Sequence, residues 1–369
     1  MISLNRPYDI KGKGERKVHA WESRNIVMTY SSREGLSRIY KQLYLERGSL
    51  HVAVSPLTCF IAIYPIVANG HIPVFIDIDP ETLNISEEAL MVHEDIQAVQ
   101  TIYLGGNPMR VDMVVAWAKK HGVVVIEDCA QALGAMYNGR MCGTFGEYAV
   151  ASAVKNLYSV AGGLFVGDKR SESGGLKVKS WLMVYKRLKR WLEKKADERK
   201  GNIWNLLYGV LLKLKDTRDD SFTNIVHSVP ENVEREIWDA LGQIDEIQTL
   251  RTRNAERLIR KIDGTRYAVQ QVPENGESTR NRVIVVAKHR EAREVIATLR
   301  TKGIAANNLT QSYTHPYQEH IQKDALLGKY YTERLEVYEQ IFPKVVSVPC
   351  SPALSDMEID YIAKELNAI

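Results

Sequence analysis

The chain has 369 residues, 45% of them hydrophobic and 25% charged, which suits a globular protein with a sizeable core and about two domains of roughly 150 residues. A formal net charge of +4 is too small to argue for nucleic acid, and no nucleic-acid partner is expected. The four cysteines show neither CxxC pairing nor metal-ligand spacing, so no metal site is expected. With a polar N-terminus that lacks a hydrophobic leader, they point to a reduced, cytoplasmic protein.

A helix is expected from Ser31-Ser32, with Ser32 as N-cap and Leu36, Ile39, Tyr40 and Leu43 on one face. Residues 48–76 contain no Asp, Glu, Lys or Arg, long enough to suggest a membrane span. Pro56, Pro65, Asn69, Gly70 and Pro73 break the run, and it reads better as strand 51–54, helix 59–68 and strand 74–78. Further strands at 99–104 and 123–126 flank a helix at 111–120. This alternation predicts βαβ units and a mostly parallel sheet. From residue 168 to 200 twelve Lys/Arg face five Asp/Glu, a local excess of +7, within a Trp-containing insert over 168–229. Solvated helices packed on the body of the fold are the plain reading of its 177–215 stretch. The sharper readings are peripheral contact with anionic membrane, or cations for a substrate diphosphate. A long helix over 234–262 then leads to a strand at 282–286, a helix at 291–302, a strand at 304–309 and a terminal helix from Ser355. The division expected is a large domain, 1–245, and a small α+β C-terminal domain, 246–369.

The chemistry concentrates in two stretches. The apolar run at 123–126 ends in Glu127-Asp128-Cys129-Ala130-Gln131, and Lys155-Asn156-Leu157 follows before Gly162-Gly163. In an open α/β sheet ligands bind at the carboxyl ends of the strands. A carboxylate there and a lysine reaching the same cavity are what a pyridoxal phosphate (PLP) site needs. Taken singly, Lys155 could be a surface lysine and Asp128 a helix cap.

The order of the motifs decides between these readings. Gly70-His71-Ile72-Pro73-Val74-Phe75-Ile76-Asp77-Ile78-Asp79, Tyr103-Leu104-Gly105-Gly106-Asn107-Pro108, Ile126 to Ala135, Gly143-Thr144-Phe145-Gly146, Lys155 with Gly162-Gly163, and Val348-Pro349-Cys350-Ser351-Pro352 occur in sequence. Together they resemble the DegT/DnrJ/EryC1/StrS sugar aminotransferases, which are PLP enzymes of fold type I, from about residue 25 onward apart from 168–229.

The resemblance implies that Lys155 is the Schiff-base lysine and Asp128 the partner of the pyridine nitrogen, with Gln131 on the phenolic oxygen. It places the phosphate at the turn Ser31-Ser32-Arg33 with help from Ser152, although capping by Ser32 remains an alternative. It further implies glutamate as donor, a nucleotide-linked keto-sugar as acceptor, and a homodimer. Relatives that replace the lysine with histidine deoxygenate the sugar, so Lys155 argues for amination.

The chain also departs from the family. Ser32-Arg33 stands for the usual Ser-Gly-Thr, and Cys59 follows Thr58 where an aromatic ring normally stacks on the cofactor. The segment before Lys155 is about two residues short. The family's Asn-x-Arg reach toward a partner subunit has only Asn224, His227 and Asn232 as candidates. The altered phosphate and stacking positions motivate one alternative, a non-catalytic or regulatory relative, and another PLP reaction such as sugar dehydration is a third reading. Tyr313 and His315-Pro316-Tyr317 are further candidates to line the substrate pocket.

Overall fold

In the computed structural model the described residues are 2, 21, 24, 26–166, 176–177, 187–188, 190–192, 227–309 and 317–369. Most of the basic insert, with its 177–215 membrane reading, lies outside them, as do Asn224, Tyr313, His315 and Pro316. Among the described residues no helix is long and apolar enough to cross a membrane.

Nine strands precede the insert: β1 (Ile26–Thr29), β2 (His51–Val54), β3 (Ile72–Phe75), β4 (Ala98–Ile102), β5 (Val124–Cys129), β6 (Met136–Tyr137), β7 (Arg140–Met141), β8 (Tyr148–Ser152) and β9 (Gly163–Val166). Seven form one sheet in the order β1-β9-β8-β5-β4-β2-β3, with β9 alone running against the others. Helices Ser32–Arg47, Phe60–Ala68 and Val111–His121 make the crossovers. Pro73 has no N–H to give a ladder, and it sits on β3 at the sheet edge, where the missing donor costs least.

Both faces of this sheet are covered, which is why its strands read as continuous apolar runs. Ala53, Val99, Val125, Ala149 and Leu164 belong to one core, while Val54, Ile102, Ile126, Val150 and Phe165 belong to the other. The uncharged stretch at 48–76 is therefore buried strand, helix and edge strand.

Within the insert, β10 (Leu176–Lys177) pairs in parallel with β11 (His227–Ser228). Strands β12 (Tyr267–Val269), β14 (Val283–Ala287) and β15 (Val345–Val348) form an antiparallel sheet in that order, while β13 (Gly276–Glu277) joins the β6–β7 hairpin. Helices Ile244–Ile259, Ala292–Thr301 and Asp356–Asn367 close a third core with this sheet. The last begins with a capping box in which Ser355 and Glu358 satisfy each other's backbone N–H.

Three expectations are corrected. Ser31, not Ser32, caps the first helix: its extended backbone lets Oγ accept from Glu34 N at 3.4 Å, and Ser32 is the first helical residue. The helix expected over 234–262 is two, Glu231–Leu241 and Ile244–Ile259, interrupted at Gly242-Gln243. Residues 304–309 make no strand. Their backbone groups go to Ile2 and Ser347 through isolated bridges, and Asn308 uses its side chain to hold Gln318.

One buried acid ties the middle of the large sheet to its surroundings. Glu127 accepts from Tyr103 Oη at 2.6 Å and from the backbone N–H groups of Gly143, Phe145 and Gly146 at 2.6–2.7 Å. Burial pushes its carboxyl above the usual range, and these four donors pull it back. Glu127→Gln turns an amide N–H₂ toward backbone donors and leaves at least one buried group unpaired. The expected loss is about 2–4 kcal/mol of unfolding free energy, read from the shift in a urea midpoint at unchanged slope.

Candidate active site

The carboxyl ends of β1, β5 and β8, with the loop after β2, supply the polar residues singled out in the sequence. Asp128 is the penultimate residue of β5 and 1% exposed. Its Oδ1 accepts from Ala130 N at 3.0 Å, and Oδ2 faces Gln100 Nε2 at 3.4 Å. Gln100, two residues before the end of β4, accepts in turn from Tyr40 Oη at 2.6 Å and donates to Ala62 O at 3.2 Å. The Tyr40–Gln100–Asp128 chain fixes the carboxylate's orientation. Burial raises the Asp128 carboxyl above its ordinary value, while Lys155 opposes that shift.

Lys155 lies in the short helix Ala153–Asn156, which Ser152 caps by accepting from Lys155 N at 3.4 Å. Its carbonyl accepts from Asn281 Nδ2 at 3.1 Å. Dehydration is the largest influence on its amine and lowers its proton affinity. Arg282 and Arg33 lower it further, against Cys59 and Asp128. Four residues from four separated parts of the chain thus lie within electrostatic reach of this lysine.

The glycine pair after Lys155 has a steric reason. Gly162 adopts a φ of +111°, open to glycine, and a Cβ on Gly163 would overlap Ser32 N. The pair lets the lysine loop and the first helix's N-terminus meet. At that N-terminus Ser32 and Arg33 have no earlier helical carbonyl to receive their N–H groups, and Arg33 Nη1 is buried without a hydrogen-bond partner among the described residues. Exposed backbone donors, the positive end of a 16-residue helix and an unsatisfied guanidinium nitrogen make a cradle that suits a phosphate.

Gln131 is 4% exposed, and its Oε1 accepts from Gly105 N at 3.0 Å, so Nε2 is the group left to donate to a ligand. Cys59 directly precedes the helix Phe60–Ala68 and is partly exposed. Thr58 Oγ1 beside it is buried without a partner among the described residues. Asn232 sits exposed at the start of Glu231–Leu241.

The structure thus brings Lys155, Asp128, Cys59 and Arg33 into one electrostatic neighbourhood. Ser152 lies at the base of the lysine's helix, and Gln131 on the turn that follows β5. Gln100, Asn281 and Arg282 escaped the sequence reading as site residues, and Tyr40 was read only as part of a helix face. None belongs to a motif, and only strand pairing and loop return place them beside Asp128 and Lys155. The neighbouring Gly105-Gly106 turn of the Tyr103–Pro108 motif was the one local signal, since residues 278–282 dock on it.

The residues fit pyridoxal phosphate: an amine with lowered proton affinity for the aldehyde, a buried oriented carboxylate for the ring nitrogen, and an unsatisfied anion cradle. The comparisons agree. The model of the DegT/DnrJ/EryC1/StrS aminotransferase family matches residues 17–195 and 238–367. The chain is 27% identical over 323 residues to dTDP-3-amino-3,6-dideoxy-alpha-D-galactopyranose transaminase of Aneurinibacillus thermoaerophilus, covering 86% of this chain and 78% of that one. Other curated relatives match only over about a third of their length, protein MosB of Rhizobium meliloti (32% identical over 151 residues, 40% of this chain and 30% of that protein) among them.

In fold, the chain is similar to the sugar aminotransferase CalS13 of Micromonospora echinospora, with a TM-score of 0.69 at 20% identity over 100% of both chains. It is similar also to an E. coli GDP-4-keto-6-deoxy-D-mannose-3-dehydratase solved with hydrated PLP, with a TM-score of 0.68 at 19% identity over 94% of this chain and 89% of that one. The architecture is that of PLP-dependent fold type I, and PLP is the cofactor of the family. The chain belongs to the DegT/DnrJ/EryC1/StrS aminotransferase family.

Proposed function

We propose that the protein moves an amino group from an amino-acid donor, glutamate, to a keto group of a nucleotide-linked sugar. The observation that carries this reading is Lys155: a dehydrated amine at the carboxyl end of the sheet, in electrostatic contact with a buried, oriented Asp128. When bound, PLP supplies an aldehyde that takes the amino group and a ring that accepts the electron pair released at the donor's α-carbon.

The chain's residues do the rest. Asp128 would hold the proton on the ring nitrogen, Gln131 Nε2 would donate to the phenolic oxygen, and Ser32, Arg33 and Ser152 would hold the phosphate. Cys59 would cover the ring where a larger side chain is usual. Lys155, as a free amine, would take the proton from the donor's α-carbon and hold it for return. Over the first half a water enters and the donor leaves as its 2-oxo acid. Over the second, the amino group replaces the sugar's carbonyl oxygen, which departs as water.

The fold likeness to a dehydratase bears on architecture alone at 19% identity, and the retained lysine amine favours amination. A non-catalytic relative is separated from an enzyme by one measurement. Protein mixed with PLP turns yellow, and the colour fades when glutamate is added; a sample that stays colourless sinks the proposal. In Lys155→Ala the yellow band is absent, while dialysis still finds PLP bound, more weakly.

The electrostatics add a pH signature. Only the free amine reacts, so competitive acylation of Lys155, followed by mass spectrometry, rises with pH. Its midpoint lies below the ordinary lysine value of 10.5 because dehydration and two cations disfavour the ammonium. Asp128 favours the ammonium, so Asp128→Asn moves the midpoint lower still, and an upward move counts against the arrangement.

A further inference from the structure

Two polar side chains lie in an apolar core behind Asp128. Tyr40 and Gln100 are each 0% exposed. Tyr40 comes from the helix Ser32–Arg47 and packs in the core that holds Val54, Ile63 and Ile126. Gln100 shares its face of β4 with Ala98 and Ile102 of that same core. Two buried groups that satisfied only each other could be replaced by apolar side chains at little cost. What this pair adds is its contact with Asp128.

The partners decide which way the Gln100 amide points. The carbonyl of Ala62 can only accept, and it takes a hydrogen bond from Nε2 at 3.2 Å. The Tyr40 hydroxyl donates to Oε1 at 2.6 Å. Tyr40 is itself held from behind: His71 Nε2 donates to its carbonyl at 2.8 Å, and Nδ1 of the same ring accepts from Leu50 N at 3.1 Å. Both amide contacts leave Nε2 facing Asp128 Oδ2 at 3.4 Å. A flipped amide would set Oε1 against Ala62 O and against the carboxylate. Only a protonated Asp128, whose O–H needs an acceptor, would favour that flip. The direction of the amide and the charge on Asp128 are therefore coupled.

That charge needs support. Burial raises the Asp128 carboxyl, and the groups opposing it are Lys155, the Ala130 N–H and Gln100. Tyr40 and Cys129, further titratable groups within its reach, are held protonated chiefly by burial. Lys155 is no constant support, since the proposed chemistry uses its amine. The dipole of the Gln100 amide stays the same throughout.

We propose that Tyr40 and Gln100 are positioning residues that hold Asp128 in its ionised form, so that the shared proton resides on the cofactor's ring nitrogen and not on the carboxyl. This rests on the aminotransferase reading above. Tyr40 acts only through the amide of Gln100, and the amide acts directly on Asp128.

The test uses the full-length protein, first without cofactor and isotope-labelled at the aspartate carboxyl carbons. The Asp128 resonance is identified by its absence in Asp128→Asn, and its shift against pH gives the midpoint at which this carboxyl titrates. Gln100→Met keeps the length and loses the amide, and it raises that midpoint by about one pH unit or more. Tyr40→Phe raises it by less, because Ala62 still favours the same amide direction. Tyr40→Phe added to Gln100→Met brings no further rise. With PLP labelled at its ring nitrogen, both single variants move the nitrogen resonance toward its unprotonated value at neutral pH. An unmoved midpoint in Gln100→Met overturns the proposal even where the variant is less stable, since a merely structural pair would alter stability alone. A further rise in the double variant, or a nitrogen resonance that stays in place, overturns it as well. Should Gln100→Met not fold, the double variant leaves no orphaned hydroxyl and carries the same test. A wild type that takes up no PLP refutes the aminotransferase reading instead, and the titration of unloaded protein still judges Tyr40 and Gln100.

Discussion

Two adjacent acids at the end of β5 must both be accommodated in a sheet buried on both faces. Because successive side chains of a strand point to opposite faces, Glu127 and Asp128 cannot share a solution. Glu127 shares its face with Val125 and Cys129 and is absorbed by four donors from Tyr103 and the turn at 143–146. Asp128 shares the other with Val124 and Ile126 and receives only Ala130 N–H and the distant amide of Gln100. One acid is saturated and structural, and the other keeps capacity for a ligand. Slipping β5 by one residue would exchange the roles, so the register of β4 and β8 against it sets where the chemistry lies.

Around Lys155 the cations gather. Lys155 acts on Asp128, and Arg33 and Arg282 lie within electrostatic reach of Lys155 itself. In a dehydrated cleft the same surplus does two things: it lowers the amine's hold on its proton, and it draws anionic groups inward. A cofactor phosphate at the helix N-terminus would offset part of this surplus.

Much of this was legible in the sequence. Runs such as Val123–Val125 reveal a doubly buried strand, and the ordered motifs place Asp128 and Lys155 because local spacing alone fixes each at the end of its strand. Local spacing failed where the outcome depends on distant chain. Gln100 lies 28 residues before Asp128 and looks like any strand glutamine. Arg282 resembles the charged start of an exposed strand until Asn307 and Ser347 arrive from elsewhere. Residues 304–309 open on an apolar run, Ile304 to Ala306, yet the adjacent edge is met by Asn307 alone, and side-chain bonds from Asn308 replace a ladder. Ser31 and Ser32 are both competent caps, and only the extended backbone at Ser31 distinguishes them.

The stretch from 278 to 282 is fastened to the active-site floor at several points. Ser278 Oγ and Thr279 N donate to Gly106 O, Thr279 Oγ1 to Gln131 O, Asn281 to Lys155 O, and Arg282 N to Gly105 O. Mechanically this is a seam rather than a hinge. The antiparallel sheet cannot swing open without breaking bonds that also hold the lysine's main chain and Gln131. Strain on the C-terminal sheet therefore reaches the backbone of Lys155 and Gln131.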